Sequence, residues 1–496
     1  MPTFFKYFIY TIVLIFIGLY YLLYTSSGTT YVYHFASHTL SKKTGLEIEV
    51  KSIDIDQYPD VVVEMNIEKK AKLILNGTIT NNSVDIDYKL TSECIASDVC
   101  TIDDDIDIHG HINGPYSRMH IQGEGKALDG FVNYHALKFT NKLEDLNVTM
   151  RDINSTKLFT LMGYDALIKG KANVNAIFKV MEKDNNQGSI TYDVRDNNFS
   201  GIPLNLHTKV NIDGIKHTFL ADITSSYLKL NISNGHYDQD KKIAKAFYIL
   251  DIKDLSHLEI LLGYKYLGPF YAMGEITFDK YLTISGLSKS YGGMMDYLYE
   301  KDGLHVKLEA VSFMDFMKIF PYPPMIEADT TGDLYYNFIQ KTLVINTKLI
   351  NAKVVHTELV NVIREKSGVH LQEETFDNST LDTSYHNGIL VGDLKLENDN
   401  SHLFLTNTKI DIDENTINAY FDLKMQKQEF SGKVYGSLNN TDVSLDIQKL
   451  IKYQMGKQLD SMMGKGTTKT MRSMPMEGAA EDMATGAAAT FINVFF

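Results

Sequence analysis

The chain has 496 residues, 44% of them hydrophobic, with a formal net charge of −14 and no tryptophan. That length is too great for one small core and points to two or three domains or a single elongated repeat structure, while the apolar share excludes a disordered chain. The acidic balance and the lack of a long basic run argue against nucleic acid and against an anionic membrane surface as partners.

The first element along the chain is apolar. From Phe8 to Tyr24 run 17 uncharged residues, with Phe4 and Phe5 extending the apolar reach and Lys6 beside them. This is just long enough to cross a bilayer as a helix. Phe8, Ile12, Leu14, Phe16, Leu19, Tyr20 and Leu23 compose the expected anchor, and Tyr20, Tyr21 and Tyr24 fall at its far end, where amphipathic rings favour the headgroup layer. Lys6 and the amino terminus keep the near end cytoplasmic, so the chain after residue 25 is expected outside the cytoplasm. A cleaved signal peptide ending near Thr25-Ser26-Ser27-Gly28 is the alternative. A single lysine, a long apolar run and no A-x-A pattern favour the uncleaved anchor.

Cys94 and Cys100, the only cysteines, close a short loop on the non-cytoplasmic side. An oxidising compartment makes a local disulfide the expected state, since a redox or metal pair would more often be C-x-x-C. Nearby, Asp103, Asp105, Asp107, His109 and His111 share one strand face. A solvated face outweighs a cation site there, because no calcium-loop glycine and no third ligand segment accompanies them.

Period-two alternation dominates the body. Val84, Ile86, Tyr88 and Leu90 alternate with Asp85, Asp87 and Lys89; Leu204, Leu206, Thr208, Val210 and Ile212 alternate with polar residues, as do Leu228, Leu230 and Ile232, and later Ile417, Ala419, Phe421, Leu423 and Met425. Each run reads as a strand with one apolar and one wet face. Asn76-Gly77, Asp213-Gly214, Asn234-Gly235, Asp302-Gly303 and Asn387-Gly388 supply the turns of a long antiparallel meander. Three helical patches interrupt it: Leu158–Met162 before Gly163-Tyr164, Leu258–Leu262 before Gly263-Tyr264, and Phe313–Phe320 before Pro321-Tyr322, with strands expected to reopen at Gly170, Gly274 and Gly332. They form a degenerate helix-then-strand repeat without fixed period.

A last amphipathic helix is expected from Ser444 to Met463, with Ile447, Leu450, Ile451, Met455, Leu459, Met462 and Met463 on one face. Residues 464–496 are Gly-, Ala-, Thr- and Met-rich and end in apolar Phe491–Phe496. The expected domains are therefore 1–27 (stub and anchor), 28–443 (β region), 444–463 (helix) and 464–496 (tail).

No H-E-x-x-H, G-x-S-x-G or G-x-G-x-x-G motif is present, and Ser226-x-x-Lys229 is expected inside a strand, its two side chains on opposite faces. The sequence calls for no enzyme activity, no cofactor and no metal. What it does call for is cover for many apolar strand faces. A sandwich or barrel supplies that cover with protein, and an open trough supplies it with acyl chains. At ~4.8 Å per strand, about 30 strands would extend on the order of 100–150 Å.

The anchor followed by Thr39–Ile53, the helix-Gly-Tyr-strand units, and Gly432–Ile447 resemble AsmA-like and TamB-like bacterial envelope proteins. The resemblance spans most of residues 1–463, and its motifs are loose. It implies an all-β fold, an elongated curled antiparallel β-groove behind a transmembrane helix. It also implies a single-pass protein of the bacterial inner membrane with its bulk in the periplasm, shielding phospholipid acyl chains and supporting outer-membrane homeostasis. Val84, Ile86, Tyr88, Leu204, Leu206, Val210, Leu228, Leu230, Phe421 and Leu423 are the groove candidates. An outer-membrane or periplasmic protein is the partner implied at the C-terminal end. The alternative is a non-enzymatic assembly factor for outer-membrane proteins, with the same strands closed as sandwiches.

Overall fold

The computed structural model describes residues 29–55, 58–68, 70–95, 102–164, 169–183, 185–199, 202–320, 324–355, 357–425 and 428–446. The protein is all-β: among these residues there are 26 strands and a few short helices. The chain divides into two compact units, Met1–Val306 with Lys318–Pro321, and Lys307–Met317 with Tyr322–Phe496.

Within each unit the strands pair antiparallel with their neighbours in sequence, as period two dictates; the expected turns at Asn76-Gly77 and Asn234-Gly235 are corrected, since the first lies within the strand Ala71–Ile79 and the second at a bulge within the strand Leu228–Asp238. Asn387 and Gly388 both take positive φ (47° and 82°) in the two-residue turn between His386 and Ile389, the backbone a tight hairpin requires. The 26-stranded sheet is not closed: among the described residues the strand Ile48–Asp54 pairs only with Asp60–Ile67, and Asn440–Leu445 only with Gln428–Ser437.

The first unit opens with a helix that the alternation analysis does not detect, Thr29–Thr44. It lies along the strand Ile48–Asp54, burying Ala36 and Leu40, while the Ser37 and Ser41 hydroxyls accept from the Val50 and Ile48 amides at 2.9 Å. The inner faces of the strands from Ile48 to Val194 pack with it into one core that includes Val63, Met65, Leu75, Ile86, Ile121 and Phe178.

In a meander, connections leaving alternate strands share one rim of the sheet. The end of the strand Ser83–Ile95 that carries Cys94, the helix Ser155–Leu161 and the corner Leu255–Leu262 therefore fall on one rim of the first unit. The helix Ser155–Leu161 begins on Asn154, whose side chain accepts from the Thr156 and Lys157 amides, and the next strand opens at Lys171, one residue from the expected Gly170. The next strand after the second corner opens at Phe270, four residues before the expected Gly274, and in the second unit the helix Phe313–Met317 precedes a strand that opens at Ile326 instead of Gly332. The expected C-terminal helix start is also corrected: Ser444 and Leu445 are the end of the strand Asn440–Leu445, paired with Lys433 and Gly432.

One device occurs twice in the first unit. Tyr88, Gly110, Gly123 and Tyr134 stand opposite one another on four successive strands, and so do Tyr248, Gly274, Gly286 and Tyr297. In each row the two tyrosines lean over the glycines until their hydroxyls meet. Tyr88 also donates to Gln122 O at 3.1 Å, so both hydroxyls of that row are satisfied in the core. Burial pushes Tyr88 up to about 12 and raises Tyr134 further, with the Tyr88 hydroxyl adding to the shift. A Cβ at Gly123 would collide with both hydroxyls. Gly123→Ala is therefore expected to destabilise the first unit by about 1–3 kcal/mol in urea unfolding followed by far-UV circular dichroism, and a neutral result would mean the row carries no packing constraint.

Candidate functional site

The inner face changes character after Leu204. In the packed part, Val84, Ile86 and Tyr88 are fully buried by protein, and Leu204 closes that region. From the strand Ile202–Asp213 to Gly292–Glu300 the same alternation continues, yet Leu206, Val210, Phe219, Ile223, Leu228, Leu230, Ile232, Leu250, Ile276 and Ile284 are only half-buried. The buried apolar members of this stretch beyond Leu204, namely Ala246, Tyr248, Ile252, Leu255, Leu258, Ala272, Tyr291 and Met295, join neither of the two cores. Register places these side chains together: Leu206 opposite Ile223, Ile223 opposite Leu230, Leu230 opposite Leu250. The result is a trough floor of leucine, isoleucine and phenylalanine with the second tyrosine row across it.

The candidate groove residues thus separate. Val210, Leu228 and Leu230 line the half-exposed face and Leu206 lies at its border, partly buried against the first core, whereas Val84, Ile86, Tyr88 and Leu204 belong to the packed face of the same unit. Phe421 and Leu423 lie in the core of the second unit with Leu359, Val360 and Ile363 of the helix Glu358–Ser367 and with Phe376. That helix carries signals that the alternation analysis passes over: Thr357 caps it, accepting from the Val360 amide, and Gly368 ends it at φ 70°.

The outer face is mostly wet. Asp103, Asp105, Asp107 and His109 are exposed there, and His111 bridges Asp85 at 3.1 Å and Asp87 at 2.8 Å. Among the described residues no group of three or more His, Cys, Asp or Glu side chains is placed to hold a metal ion. A cleft of about 390 Å³ between Asp193, Val194, Arg195, Asn205, Leu206, His207, Asp222 and Thr224 marks the bulge in the strand Asn185–Phe199, with His207 bridging Asp193 at 2.6 Å. Its mixed lining of both charges suits water more than an apolar ligand.

Asp104 is the polar residue that the sequence hid. It alternates out of the acidic face into the buried one, where its carboxylate accepts from the Leu128 and Asp129 amides and bridges Lys157 at 2.9 Å. This ties the helix Ser155–Leu161 to the strand Ile102–Pro115. Ser226 lies in the turn before the strand Leu228–Asp238, outside any strand, where its carbonyl accepts from Lys253. Cys94 is disulfide-bonded, and Cys100 lies outside the described residues. The anchor residues Phe8, Ile12, Leu14, Phe16, Leu19, Tyr20 and Leu23 and the helix face from Ile447 to Met463 also lie outside them. No helix among the described residues is long and apolar enough to cross a membrane. No family model matches the chain, and no curated protein matches it.

Proposed function

We propose that the protein is a non-enzymatic carrier of lipid acyl chains in the periplasm of a bacterial envelope, tethered to the inner membrane by residues 8–24 and contributing to phospholipid transport and outer-membrane homeostasis. One observation carries this reading: between Leu206 and Ile284 the inner face carries a run of apolar side chains that protein only half covers. Acyl chains would complete the burial that protein supplies elsewhere, at about 25 cal/mol per Å² of apolar surface removed from water. Headgroups stay in water at the rims, and tails slide over the aliphatic side chains of the floor. The resemblance to AsmA-like and TamB-like proteins supports the same assignment.

The test is native mass spectrometry of the full-length chain, extracted gently in detergent. Phospholipid is expected to remain bound, and the combined change Leu206→Glu, Leu230→Glu and Leu250→Glu is expected to remove most of it, because unpaired charge in an apolar trough costs several kcal/mol per group. Equal lipid on both proteins would sink the reading. The alternative, an assembly factor for outer-membrane proteins, draws its support from the packed inner faces between Ile48 and Val194 and in the second unit.

A further inference from the structure

The strands Ile243–Ile252 and Phe270–Phe278, joined by the corner Leu255–Leu262, break the rule that the outer face is wet. Phe247, Ile249, Tyr271 and Met273 point outward and are 54%, 42%, 39% and 38% exposed, with Ile249 directly opposite Met273. At the corner, Leu255 and Leu258 are buried and hold the turn in place, while Ile260, Leu261 and Leu262 are 69%, 43% and 46% exposed. The corner is a built element. Asp254 accepts from the Ser256 and Gly268 amides, with the Ser256 amide the main force holding its carboxyl below the usual value, and Leu267 N donates to Ile319 O at 2.7 Å. Tyr264, Tyr266 and Phe320 form an edge-to-face row beside it, at 5.3 and 5.8 Å between ring centres.

We propose that this hairpin docks on a lipid bilayer, its corner residues Ile260, Leu261 and Leu262 entering the headgroup boundary. The corner exposes apolar side chains at its turn and on its outer face. A bilayer accepts such a surface by displacing headgroups, whereas a protein would need a matching pocket. Charge agrees. Within a chain of net charge −14, the segment 253–269 balances Lys253 and Lys265 against Asp254 and Glu259, so this patch carries no net charge to repel it from a lipid surface. The apolar run from Phe8 to Tyr24, the membrane tether of the proposed function, would keep a bilayer at high local concentration. The same two strands floor the trough with Ala246, Tyr248, Leu250 and Ala272, which makes the hairpin the point where lipid would pass between bilayer and trough. That last role rests on the carrier reading; the docking itself does not.

The test places an NBD fluorophore on Leu261→Cys or, as control, on Lys241→Cys in the exposed turn at the opposite end of the same strand pair; Cys94 is already disulfide-bonded. The full-length protein is reconstituted into phosphatidylcholine vesicles with or without brominated acyl chains. At position 261 the brominated lipid should quench at least about twofold more than at position 241, with a blue-shifted emission, and adding Ile260→Ser and Leu262→Ser should bring quenching down to the control. Equal quenching at the two positions overturns the proposal. Lipid retained in the mass-spectrometric test with equal quenching here would keep the carrier and remove the docking hairpin; the reverse pair of results would keep the hairpin and remove the carrier.

Discussion

Asp104→Ala is expected to destabilise the first unit by about 3–5 kcal/mol, the range for removing one partner of a buried, hydrogen-bonded ion pair. The Asp104 side chain has no solvent exposure, and its carboxylate holds three donors, the amides of Leu128 and Asp129 and the Lys157 ammonium. Removing it strands two amides in the positive-φ turn Leu128-Asp129 and leaves Lys157 only the exposed carboxylate of Asp129. Lys157→Ala should be milder, because Asp104 then keeps both amides and the deleted ammonium was partly solvated. Urea unfolding of the two single variants and the double variant measures the coupling, and additive losses would mean the pair does not act as a unit. Acid should probe the same place. The Lys157 hydrogen bond, above all, holds the Asp129 carboxyl below its usual value. A depressed folded value contributes stability that is complete above the unfolded carboxylate range and disappears as pH falls through the folded value. The loss attributable to Asp129 is thus expected below about pH 4 and absent from an Asp129→Asn variant.

The strands were legible because period two and turn chemistry are local. Val84 to Leu90 and Ile417 to Met425 alternate cleanly, and each alternation became a strand with the expected buried face. Helices were harder to read where they interrupt a β pattern. Glu358–Ser367 has its cap at Thr357, its apolar Leu359, Val360 and Ile363, and its terminal Gly368, but it spans fewer than three turns between strong strand signals. Asp104 was hidden by composition: in the run Asp103-Asp104-Asp105 it looks like its neighbours, and only its phase with Ile106 and Ile108 places it on the apolar face. The difference between trough and core was not legible at all. Val84-Asp85-Ile86-Asp87-Tyr88 and Leu228-Lys229-Leu230-Asn231-Ile232 carry one pattern, and one is buried by protein while the other is half-exposed. Alternation says which side chains share a face; what covers that face is decided by residues far along the chain.

That difference has a measurable consequence in a matched pair of truncations. Phe421→Ala should destabilise the second unit by about 3–5 kcal/mol, since the ring is fully buried, lies over Gly432 on the next strand, and packs in the core beneath Leu359 and Ile363. Leu230→Ala, on the half-exposed floor of the first unit, should cost about 1 kcal/mol or less, because the deleted methyl groups leave little apolar surface newly exposed. Lipid retention should move the opposite way, falling for Leu230→Ala and holding for Phe421→Ala at temperatures where both proteins are folded. Urea midpoints read with retained lipid separate a residue that serves the fold from one that serves a ligand. If Leu230→Ala lost stability as heavily as Phe421→Ala, the face from Leu206 to Ile284 would be buried by protein in solution, and the same alternating sequence would be serving a closed core there too.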